Sequence, residues 1–134
     1  MTASPGAATA ARTRILLIED EPSVAAFLRI ALERRGYQIV PCDSAAAGLQ
    51  MLAVGDFNGV ISDFRTPGGI SGADVQDWLS RHRPELAGKI IFITGDTASE
   101  ETAALLAQAG TPCVEKPFRV HQLMAAVEET IGRP

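Results

Sequence analysis

Arg14-Ile-Leu-Leu-Ile-Glu-Asp-Glu-Pro22 decides the architecture. Ile15 to Ile18 present no polar face, so a strand there must be covered on both sides, as in a parallel sheet between helices. Three acids follow as the strand ends, and Pro22 suits the first turn of a helix. Working outward, the same alternation recurs. Strands are expected at Arg14–Ile18, Tyr37–Val40, Gly59–Ser62, Lys89–Thr94 and Thr111–Val114. Ile90-Ile-Phe-Ile93 again lacks a polar face.

Between the strands the apolar period lengthens toward that of a helix. Val24, Phe27, Leu28, Ala31 and Leu32 form a stripe closed by Gly36. Asp43 is the expected cap of a second helix through Leu49, Leu52 and Ala53, within which Gly48 costs about 1 kcal/mol against alanine. A third helix runs from Ala73 to about His82 and stops before Pro84. A fourth opens with Thr97 and Glu100 spaced as a capping box and ends at Gly110. Val120, Leu123, Met124, Val127 and Ile131 line the last. Five such units make an α/β fold, a doubly wound parallel sheet with helices on both faces.

The chain has 134 residues, 46% hydrophobic and 21% charged, with a formal net charge of −4. This suits one domain whose core is large enough to need no disulfide or structural metal. No apolar run approaches the roughly 20 residues of a membrane span, so no membrane role is expected. Arg12 and Arg14 give residues 1–14 a charge of +2, leaving −6 on the other 120 residues. That balance opposes binding to a phosphate backbone, and no nucleic-acid partner is expected. Residues 1–12 read as a disordered leader without the pattern of a secretory signal, and 13–134 as the domain. Cys42 and Cys113 have no metal-type spacing, and reduced thiols in a cytoplasmic protein are the simplest reading.

Open α/β sheets bind ligands at the carboxyl ends of their strands. Glu19, Asp20, Asp63, Thr94 and Lys116 all fall there and are expected to face one crevice. Carboxylates that close repel one another unless a cation joins them. All-oxygen ligands favour a hard divalent ion, Mg²⁺ above others. Acids, a lysine and a hydroxyl around such an ion are equipment for phosphoryl transfer, with a carboxylate able to act as nucleophile.

From Arg14 to Ile131 the chain resembles the receiver domain of bacterial two-component response regulators. The resemblance is carried by Ile15-Leu-Leu-Ile-Glu-Asp-Glu-Pro22, Val60-Ile-Ser-Asp-Phe-Arg-Thr-Pro67, Phe92-Ile-Thr-Gly95 and Glu115-Lys-Pro-Phe118. Spacings agree too: 43 residues from Asp20 to Asp63, 31 to Thr94 and 22 to Lys116. It implies a flavodoxin-like (βα)5 fold with strand order 2-1-3-4-5, which puts the two cysteines on opposite edges, too far apart to bond. It also implies that Asp63 accepts a phosphoryl group from a histidine kinase or histidine phosphotransfer protein. Mg²⁺ would be held by Glu19, Asp20, Asp63 and the backbone carbonyl of Arg65. Thr94 would be the switch hydroxyl, and Lys116 the partner of the phosphorylated aspartate.

Two features depart from the common pattern. Gly68-Gly-Ile-Ser71 makes a loop one residue longer, similar to receivers attached to hybrid histidine kinases. Cys113 stands where many receivers carry the aromatic residue that moves with the switch threonine, so an output movement of another kind is expected. His82 and His121 read as solvated, and Trp78 as packing for the third helix.

The resulting expectation is a single-domain response regulator, a stoichiometric phosphoacceptor and not a turnover enzyme, signalling through an unnamed protein partner. A phosphorylation-independent pseudo-receiver is the alternative, with Cys113 its best support. A phosphatase of the haloacid-dehalogenase type needs a second acid two residues after its nucleophile, and that position is Arg65.

Overall fold

A computed structural model describes residues 12–64, 70–94, 112–116 and 118–134. Strand β1 (Arg14–Ile18) lies between β2 (Gln38–Cys42) and β3 (Gly59–Asp63), and β3 continues through β4 (Ile90–Thr94) to β5 (Cys113–Glu115). Every pairing is parallel and the order is β2-β1-β3-β4-β5, as expected. Pro41, which has no N–H to donate, is confined to edge strand β2.

The unbroken apolar runs are divided by the pleat. Ile15 and Leu17 pack with Leu28 and Leu32 of α1 (Pro22–Arg34) and Leu123 and Val127 of α5 (Val120–Thr130). Leu16 and Ile18 face the other way, onto Leu52 of α2 (Ala45–Val54) and Val75 and Leu79 of α3 (Gly72–His82). Ile91 and Ile93 join the first layer, Ile90 and Phe92 the second. Both faces are buried, so neither can carry a polar residue without a partner.

Helix ends account for most departures from the expected boundaries. Helix α2 is capped by Ser44, whose side chain accepts from the Ala47 N–H at 3.1 Å, and not by Asp43. Ser44 is the extended residue whose carbonyl takes the Gly48 N–H, so Asp43 falls one position too early. Gly48 is a packing requirement: a Cβ there would stand 2.6 Å from Ile18 Cδ1. Gly36, at φ 105°, ends α1, with Gly36 N–H bonded to Glu33 O and Tyr37 N–H to Leu32 O.

Helix α3 begins at Gly72 because Ser71 and Asp74 form a reciprocal capping box, and a one-turn helix, α4 (Pro84–Ala87), follows where an end was expected. Strand β5 is shifted from the expected Thr111–Val114, and β2 starts after Tyr37. The expected leader (save Arg12), the helix from Thr97 to Gly110 and the Arg65 ligand lie outside the described residues.

Candidate functional site

The parallel register brings the strand ends to one level. Ile18 is opposite Ser62, Asp63 opposite Ile93, and Thr94 opposite Glu115. Glu19 leaves β1 with its N–H donated to Cys42 O at 3.1 Å, and Lys116 leaves β5 with its N–H donated to Thr94 O at 2.7 Å. Main-chain bonds to a neighbouring strand therefore fix where both side chains start.

Lys116 is the hub. Its Nζ lies 3.1 Å from Glu19 Oε1, 3.4 Å from Asp63 Oδ2 and 3.8 Å from Glu21 Oε1. Glu19 and Asp63 are buried, at 3% and 8% exposure, so their charges are poorly solvated. Burial, and then the negative charge of Glu19, push the Asp63 carboxyl up to about 6, against the pull of Lys116. Burial works to lower the Lys116 pKa, but Asp63 and Glu19 outweigh it and the ammonium holds its proton more tightly than usual. Thr94 is 2% exposed at the end of β4. The structure thus gathers Glu19, Asp63 and Lys116 as expected and sets Thr94 on the adjoining strand.

Glu19, Asp20 and Asp63 can each offer an oxygen within 4.8 Å of the others, so the group could hold a metal ion. Glu19 Oε1 is buried and takes no directed hydrogen bond among the described residues, leaving the Lys116 ion pair as its compensation. Three carboxylates around one ammonium leave uncompensated negative charge, and an all-oxygen donor set fits a hard divalent cation.

Three residues near the site were not singled out from sequence. Glu21 adds a third carboxylate to Lys116; its place in the acidic triplet was the available signal. Ser62, fully buried, donates its hydroxyl to the Asp63 carbonyl at 2.8 Å. Gly72 closes on the carbonyl of Phe64 at 2.7 Å, a long-range bond no local pattern reveals. His82 and His121 are exposed, as expected, and Trp78 lies against the core with its ring centroid 4.9 Å from that of His82. Cys42 and Cys113 are free thiols on the two edge strands.

Known proteins match this arrangement. Residues 15–128 fit the model of the response regulator receiver domain. The transcriptional regulatory protein KdpE of Mycobacterium tuberculosis is 31% identical over 121 residues, covering 90% of this chain and 52% of KdpE. The chain thus spans about half the length of that relative. It spans 96% of the receiver protein CpdR of Brucella abortus, which is 30% identical over 118 residues and matches 88% of this chain. Among solved structures, a CheY-like receiver domain protein of Methanospirillum hungatei superposes with a TM-score of 0.80 at 25% identity, covering 90% of this chain and 94% of that one. TrrA of Thermotoga maritima, solved in complex with Mg²⁺-BeF, gives 0.76 at 29% identity, covering 88% and 98%. Fold, strand-end acids and sequence agree, and the chain belongs to the response regulator receiver domain family.

Proposed function

We propose that Asp63 accepts a phosphoryl group from the phosphohistidine of a histidine kinase or histidine phosphotransfer protein, as a stoichiometric acceptor in the cytoplasm. The observation that carries this reading is the placement of the Asp63 carboxylate, 3.4 Å from Lys116 Nζ and grouped with Glu19 and Asp20. A carboxylate oxygen of Asp63 forms the new bond to phosphorus. The phosphorus–nitrogen bond of the donor breaks, and its electron pair returns to the imidazole, leaving an acyl phosphate on Asp63.

Glu19, Asp20 and Asp63 would hold Mg²⁺, with the Arg65 carbonyl as the further expected ligand. When bound, the ion supplies positive charge against the phosphoryl oxygens. Lys116 is already placed to pair with the modified Asp63, and the Thr94 hydroxyl is the donor expected for a phosphoryl oxygen. Signalling through a protein partner belongs to the same proposal.

The test is the intact mass after incubation with Mg²⁺ and acetyl phosphate, and separately with a phosphorylated histidine kinase. One added phosphoryl group, absent in Asp63→Asn and with a chelator, supports the reading. No labelling from acetyl phosphate or from a panel of phosphorylated histidine kinases would make the pseudo-receiver the better reading.

A further inference from the structure

The peptide that follows the acceptor is held at each polar atom. Ser62 Oγ donates to Asp63 O at 2.8 Å, the Phe64 N–H to Ile93 O at 2.9 Å, and the Gly72 N–H to Phe64 O at 2.7 Å. The last bond ties Phe64 to the first residue of α3. Gly72 is buried as the first residue of α3, and the capping box of Ser71 and Asp74 sets the start of that helix against the strand ends.

The approach is possible only without a side chain. A Cβ on residue 72 would stand 2.9 and 3.0 Å from Phe92 Cε1 and Cδ1, and 3.2 Å from the carbonyl oxygen of Asp63 itself. The Phe92 ring is in turn stacked edge-on against Phe64 at 5.1 Å, so it has little room to retreat. Any added carbon therefore moves either the ring or the main chain of Asp63.

We propose that Gly72 is a positioning residue of the phosphoacceptor site: its bare Cα lets α3 close on the Asp63–Phe64 peptide and hold the carboxylate cluster in the geometry that binds the cation. This rests on the reading of Asp63 as acceptor. Gly72 touches neither phosphoryl group nor cation and acts through the Asp63 main chain.

Gly72→Ala and Gly72→Ala/Phe92→Leu separate positioning from packing. The second variant removes the ring atoms that clash and leaves the contact with the Asp63 carbonyl. Two readouts are the rise in melting temperature with Mg²⁺ concentration and the rate of phosphorylation by acetyl phosphate over the same range. In both variants the Mg²⁺ concentration for half the effect rises about tenfold, the low end of what losing an outer-shell support costs in metal affinity. The double variant should recover most of the melting temperature measured without Mg²⁺. A half-effect concentration equal to wild type in the double variant would overturn the proposal and leave Gly72 a packing residue. A wild-type chain that takes no phosphoryl group sinks the acceptor reading instead, and the melting curves still decide the role of Gly72.

Discussion

Lys116 Nζ lies 3.1 Å from Glu19 Oε1, so the lysine that leaves β5 is held by the buried acid that leaves β1. The two elements are not neighbours in the sheet, since β3 and β4 stand between them. A lysine tied there spans the mouth of the sheet and reaches Asp63, on β3, at 3.4 Å. Breaking the pair would strand Glu19 Oε1, which has no other compensation among the described residues.

The raised pKa of Asp63 makes stability depend on pH. The folded chain keeps the Asp63 proton up to about pH 6, whereas the unfolded chain releases it near 3.8. Between those values the folded state binds more protons, so stability falls as pH rises and remains lower above pH 6. The total is on the order of 3 kcal/mol for the metal-free protein. Urea unfolding between pH 4 and pH 8, without divalent ions, should show this decline. Asp63→Asn should flatten the curve, and Mg²⁺ should restore stability above pH 6.

Lys116→Met should destabilise the metal-free protein by about 1–3 kcal/mol at neutral pH, because Glu19 and Asp63 lose their shared counter-charge. The raised lysine pKa means this contribution is complete at neutral pH and fades only in strongly alkaline solution. At pH 5 the loss should shrink as Asp63 takes a proton. A loss equal at pH 5 and pH 7.5 would contradict the electrostatic account. Urea midpoints at both pH values check it.

Gly48→Ala should destabilise in spite of its better helix propensity. The helix gains about 1 kcal/mol. Against this, a Cβ 2.6 Å from Ile18 Cδ1 overpacks the seam between α2 and β1, and such strain typically costs about 1–3 kcal/mol. A melting temperature above wild type would show that Ile18 yields more easily than its burial suggests.

The thiols should react in sequence. Burial pushes Cys42 up to about 11, and its Sγ donates to Ser44 O at 3.6 Å. Cys113 is exposed on the opposite edge strand. Burial and then the charge of Glu115 raise the Cys113 pKa as well, but its exposure should let the first equivalent of an aromatic disulfide reagent at pH 8 map to Cys113, with Cys42 following more slowly. Mild oxidation should leave no internal disulfide, because the edge strands are separated by three others.

Local chemistry accounts for what was legible in advance. A run such as Ile15–Ile18 has no polar face, so a strand there must be covered on both sides, and the acids behind it then fall at a strand end. The four motifs and their spacing named the family. Boundaries were less legible where two adjacent residues could serve as cap: Asp43 and Ser44 both suit the position, and main-chain geometry chose the serine. Gly48 illustrates the same limit. Along the chain it reads as a weak point in a helix, and only the neighbouring strand shows that a larger residue would not fit.

By itself the sequence determined the alternation of strands and helices over the described residues, the covering of both faces of Ile15–Ile18 and Ile90–Ile93, and the fall of Glu19, Asp63, Thr94 and Lys116 at strand ends. These follow from residue type and period, which act over a few neighbours. The tertiary structure alone decided that Lys116 would meet Glu19 more closely than Asp63, that burial would push the Asp63 carboxyl up, and that Gly72 would close on the main chain of the acceptor. Those depend on the register of parallel strands and on the exclusion of water between residues far apart in the chain, where tenths of an ångström set the energy.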